Sequence, residues 1–89
     1  MKVVIITEQG ADVPPTKDGR YDAHVRLEDV PGGGKRIIVD RFNFQIKDNA
    51  RAHIESKDFA ANMEGVREAT DYLRGYGFDV TLAGSVEWH

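Results

Sequence analysis

SKDFAANMEGVREATDYLRGYG, residues 56–77, decides the architecture of the chain. Phe59, Met63, Val66, Thr70 and Leu73 recur at steps of four, three, four and three. At about 100° per residue these side chains share one stripe about 80° wide, the mark of an amphipathic helix. The spacing predicts a helix over about 57–74. Ser56 is its expected N-cap, since a hydroxyl there accepts an orphan N–H of the first turn, and Asp58 complements the positive end of the dipole. Gly75 or Gly77 ends it, because glycine accepts the left-handed conformation required just past the last turn.

Strand patterns flank the helix on both sides. After it, Phe78, Val80 and Leu82 alternate as a last strand, Gly84 breaks it, and Val86 and Trp88 continue the parity. Before it, Tyr21, Ala23, Val25 and Leu27 alternate with Asp22, His24, Arg26 and Glu28, which predicts a half-buried antiparallel strand. Ile37-Ile38-Val39 leads into Phe42, Phe44 and Ile46, spaced by two, and this parity assigns both phenylalanines to the core. Asp40 falls on the apolar face of that count, so a bulge near 39–41 is expected to turn it out. Arg51–Glu55 reads as a short fourth strand after the turn signal Asp48-Asn49. At the start, Val3-Val4-Ile5-Ile6 cannot all face one way on a pleat, which predicts a central strand covered on both faces. Residues 9–19, with Gly10, Pro14, Pro15 and Gly19, show no period and read as a loop.

One apolar helix stripe and one apolar sheet face cover each other. The expected fold is therefore α+β: a four- to five-stranded, mainly antiparallel sheet with one long helix on one face, in the order β-β-β-(β)-α-β. The 89 residues fit a single domain, and 40% hydrophobic content supports one core but no cleft between subdomains. With no cysteine there is no disulfide scaffold, thiolate metal site or cysteine nucleophile. The opening apolar run is far shorter than a signal peptide or a membrane span requires. A cytoplasmic protein without membrane attachment is expected.

The net charge of −3 is unevenly spread. Residues 20–57 carry a balance of +2 and the remainder −5. Within the positive part, DVPGGGKRIIVDRF, residues 29–42, sets three glycines before Lys35. A phosphate loop would need serine or threonine after the lysine and a helix to follow, so that a helix N-terminus faces the anion. Arg36 and a strand pattern follow instead, and the glycines read as the bend of a hairpin. Lys35 and Arg36 at that tip remain candidate contacts for a partner's phosphates or carboxylates.

Glu64, Glu68 and Asp71 lie about 120–180° around the helix from its apolar stripe and form an acidic ridge, with Arg67 and Arg74 on its flank. Such a ridge is the leading candidate for docking on a basic groove. Trp88, the only tryptophan, either closes one end of the core or is a further candidate anchor, since indoles bury much area at low entropic cost. Arg36, Arg41, Lys47 and Arg51, interleaved with Phe42 and Phe44, offer an alternative: nucleic-acid binding through segment 35–51. If the strands of His24 and His53 were neighbours, Asp22, His24, Arg26, Arg51, His53 and Glu55 would cluster as a metal or acid–base site, although the arginines oppose a cation there. No serine–histidine–acid arrangement and no cofactor motif can be defended, so no enzyme, cofactor or metal is expected.

DGRYDAHVRLEDVPGG resembles the N-terminal part of HicB-type antitoxins through Asp18, Gly19, Tyr21, Asp29, Pro31 and Gly32, and MEGVREATDYLRGYG resembles their helix. The likeness covers roughly thirty residues of common turn chemistry. Two extra residues precede Asp29, one or two strands are inserted at 35–55, and no DNA-binding segment follows within the 89 residues. These departures leave it short of membership. The resemblance implies only a small protein that neutralises a partner by binding it. The expected function is accordingly a non-enzymatic protein-binding module, an inhibitor or regulator of a bacterial or phage system. A second copy of the chain is a further candidate partner along an exposed sheet edge.

Overall fold

The alternating segment at 21–28 becomes the long strand on which the sheet is built. The structure is a computed structural model and describes residues 1–45 and 50–84. Its elements are β1 (Lys2–Ile5), β2 (Ala11–Val13), β3 (Tyr21–Asp29), β4 (Lys35–Gln45), β5 (Ala50–Ala60), α1 (Met63–Gly75) and β6 (Val80–Ala83). β2, β3, β4 and β5 form a four-stranded antiparallel sheet in that order, while β1 pairs with β6 in parallel. The fold is α+β, with one helix against the sheets.

Ala23 and Val25 of β3, Ile37 and Val39 of β4, and Phe59 of β5 are buried on one face of the larger sheet. Val66, Ala69 and Leu73 of α1 cover it, joined by Val4, Ile6, Val80 and Leu82 from the parallel pair. Burial of a side chain such as Leu73 or Phe59 contributes about 2 kcal/mol. The segment 9–19 is not wholly a loop. Ala11–Val13 pairs with β3, and the Leu27 N–H donates to the Thr7 carbonyl at 3.3 Å. That bond carries the chain from β1 to β2 along one course against β3.

Three further expectations are corrected. β1 is not covered on both faces: Val4 and Ile6 are buried, but Val3 and Ile5 are 64% and 55% exposed. The reason is that its only ladder partner among the described residues is β6 and the core lies on one side. The helix begins at Met63, not near 57, and its cap is Asn62, whose side chain accepts the Gly65 N–H at 2.8 Å. The stretch 56–60 belongs instead to β5, because Phe59 stands opposite Ile37 and reaches the core from the sheet. Finally, the core face of β4 is carried by Ile37 and Val39, not by Ile38 and Phe42. Asp40 therefore faces outward without a preceding bulge, and the irregularity falls one step later, between Arg41 and Phe42. Phe42 is half-buried on the outer face. Ile46, Lys47, Val86 and Trp88, and the turn residues Asp48 and Asn49, lie outside the described residues.

The hairpin reading of the glycines holds. Gly32, Gly33 and Gly34 have φ of 92°, 102° and 90°, conformations that would cost an L-residue roughly 1–2 kcal/mol each. The Val30 N–H donates to the Gly34 carbonyl at 3.1 Å and closes the bend directly into β4.

Candidate functional site

The helix presents its carboxylates as a spacing of about 100° per residue requires. Val66, Ala69, Thr70 and Leu73 are buried, and Glu64, Glu68 and Asp71 are all exposed on the opposite side. The buried set also includes Gly65 and excludes Met63, which is 60% exposed. At about 100° per residue, the buried face is rotated by roughly 50° from the stripe read in the sequence. The rotation follows from size. Gly65 backs onto the Ala60 carbonyl so closely that a Cβ placed there would lie 1.7 Å from the oxygen. Met63 is left beside the acidic ridge as an exposed apolar group. Glu64 makes one long ion pair with Arg67 at 3.9 Å, and none is formed by Glu68 or Asp71 among the described residues. Arg74 is turned away, donating to the Val80 carbonyl at 3.0 Å.

On the sheet, cations and carboxylates are matched to each other. Lys35 bonds to Asp29 at 2.7 Å and to Glu8 at 2.8 Å, and Arg36 to Asp58 at 2.9 Å. Arg51 pairs with Asp22 at 3.1 Å and stacks over the Phe42 ring at 4.1 Å. Arg26 pairs with Asp40 at 2.8 Å and Glu28 at 3.3 Å. The face not covered by the helix is thus a mosaic of neutralised pairs. The hairpin cation Arg36 is part of it, whereas Lys35 shares the parity of Ile37 and Val39 and is paired at the edge of the other face.

The two histidines are not on neighbouring strands, because β4 lies between β3 and β5. Asp40 of β4 stands between them instead. It is opposite His24 in register, 3.6 Å from His53 Nε2, and accepts a short hydrogen bond from the Ser56 hydroxyl. Partial burial works against the charge of Asp40, yet Ser56 and Arg26 outweigh it and hold its carboxyl below the usual range. Glu55, the other acid of the anticipated cluster, pairs with Arg41 on the helix side of the sheet. Among the described residues no group of three or more histidine, cysteine or acidic side chains has the arrangement of a metal site.

One cluster escaped the sequence reading. Arg41 follows the parity of Ile37 and Val39 and enters the interior, only 8% exposed. Its Nε donates to the Tyr72 hydroxyl at 2.6 Å, its Nη2 lies 3.4 Å from Glu55, and the Tyr76 ring lies 3.6 Å from its guanidinium carbon. The Tyr72 hydroxyl in turn donates to Glu55. That bond, helped by Arg41, holds Glu55 below the usual carboxylate range. Burial, then the same bond, pushes the Tyr72 phenol up to about 12. The available signal was parity: Arg41 shares the face of two core residues two and four positions earlier. No helix among the described residues is long and apolar enough to cross a membrane. The chain matches no protein-family model, no curated protein and no solved structure.

Proposed function

We propose that the protein is a non-enzymatic, cytoplasmic binding module that docks on a basic protein surface through the outer face of α1. The contrast in charge pairing supports this reading. The arginines of the sheet and Lys35 are held by internal carboxylates. Glu68 and Asp71 have no such partner among the described residues, and Glu64 has only a long exposed one. Exposed ion pairs are worth at most about 1 kcal/mol, so Arg67 is easily surrendered to a partner. Exposed Met63 beside Glu64 adds an apolar contact at the end of the ridge. Complementary charge of this kind speeds encounter and selects partners. It suits an inhibitor or regulator that covers a basic groove, and the bacterial or phage setting is part of the same proposal.

The same pairing weighs against nucleic acid, the alternative reading. Phosphate binding depends on cations free to replace counterions; Arg36 and Arg51 are engaged, and Arg41 is buried out of reach of a nucleic-acid backbone. For self-association the longer edge on offer is β5, which with the three-residue β2 bounds the antiparallel sheet.

The test is affinity capture from a bacterial lysate at low and high salt. The Glu64→Lys/Glu68→Lys/Asp71→Lys variant, with unchanged circular dichroism, is expected to lose the captured protein, and high salt to release it from the wild type. Equal capture by the folded variant removes the ridge as the docking face.

A further inference from the structure

A cleft of about 640 Å³ opens between the C-terminal end of α1 and the sheet, with Arg41 in its wall. Tyr21, Asn43, Ile54, Gly75, Tyr76 and Phe78 complete the lining. Its volume lies within the roughly 300–1,000 Å³ of small-molecule sites. Phe78 is buried, whereas Tyr21, Ile54 and Tyr76 are each partly exposed, giving an apolar and aromatic mouth.

Arg41 is the unusual member. A buried guanidinium is costly unless its donors find acceptors. Nε is well used by Tyr72, but Nη2 has only a 3.4 Å approach to Glu55. Nη1 has no partner among the described residues. Glu55 divides its acceptor between Nη2 and the Tyr72 hydroxyl, and Lys57 brings a second cation within 5.5 Å of the Tyr72 ring. Two cations thus face one carboxylate, and the open end of a planar fork is the geometry that takes a second carboxylate.

We propose that this cleft binds a small aromatic carboxylate, whose carboxylate meets Arg41 and whose ring packs among Tyr21, Ile54 and Tyr76. The polar end is selected by the half-satisfied guanidinium and the flat apolar end by the aromatic walls. The helix ridge plays no part in it, and the two proposals stand or fall separately.

The experiment is an NMR titration of the isotope-labelled protein with benzoate, with benzamide as its neutral counterpart. Benzoate is expected to give saturable shifts at the Arg41 Nε–H and the Tyr76 ring, with affinity at least about tenfold above benzamide. Glu55→Gln, which keeps an acceptor for Tyr72 but removes the internal counter-charge, is expected to tighten benzoate severalfold. Ile54→Trp, which fills the mouth without touching Arg41, is expected to weaken it about tenfold, and Arg41→Met to abolish it. If Arg41→Met does not fold, Ile54→Trp decides. The proposal is overturned if benzoate shifts neither group up to its solubility limit, if benzamide binds as well, or if Ile54→Trp changes nothing.

Discussion

Gly65 sets how closely the helix can sit on the sheet. Alanine is the better helix former by about 1 kcal/mol, and a substitution on an exposed face would gain that much. Here the added methyl meets the Ala60 carbonyl, part of the backbone where β5 ends and the chain enters the helix. Neither side can yield without moving α1. Gly65→Ala is expected to lower stability by about 1–3 kcal/mol, the range of overpacking, in urea unfolding monitored by circular dichroism. An unchanged midpoint would mean that the helix stands further off. Tyr72 supplies a second prediction at this scale. Its phenol is held protonated by burial and by its bond to Glu55, up to about 12. The folded value lies above that of an unfolded tyrosine, so the contribution to stability is complete below about pH 10 and is lost between about pH 10 and 12. In an ultraviolet titration of the folded protein, one of the three tyrosines should ionise late, and Tyr72→Phe should remove that late component.

Among the elements, α1 does more than cover the core: it also closes the free edge of β6. The outward Leu82 N–H donates to the Thr70 hydroxyl at 3.1 Å, and the outward Val80 carbonyl accepts from Arg74 at 3.0 Å. Unpaired edges recruit other chains, and here the exposed groups are met by side chains. Thr70→Val keeps the volume but removes the acceptor, leaving a buried N–H unsatisfied. A loss of about 1–3 kcal/mol and faster hydrogen exchange at Leu82 are expected. Element boundaries were less legible in the sequence than element types. Phe59 satisfies the helical spacing to Met63 and also the strand spacing to Lys57, and local pattern cannot choose between them. The choice is made by Ile37 across the sheet, a contact distant in sequence. Likewise, Ile37-Ile38-Val39 is apolar at both parities, so Phe42 suggested the wrong face. The glycine hairpin was readable because three positive φ values leave few residues to choose from. Parallel pairing of β1 with β6 had no local signature, since it joins the two ends of the described chain.

The whole molecule separates its charges by location. The outer sheet face is a mosaic in which Arg26, Arg36 and Arg51 are neutralised by Asp40, Asp58 and Asp22. The outer face of α1 holds Glu64, Glu68 and Asp71 with little to answer them. The acidic ridge was legible because helix angles follow from spacing alone. The engagement of Lys35 and Arg36 was not, because their acids come from β3, β5 and the turn after β1. The most direct measurement is a fluorescence titration at low salt with a decalysine peptide and with a decathymidine strand. It compares the wild type, the Glu64→Lys/Glu68→Lys/Asp71→Lys variant, and a control of equal net charge, Asp12→Lys/Glu28→Lys/Asp79→Lys. The account predicts that wild type and control bind the peptide, that the ridge variant loses it, and that the wild type ignores the oligonucleotide. Tighter binding of the oligonucleotide by the wild type, or equal peptide binding by the ridge variant, would contradict it.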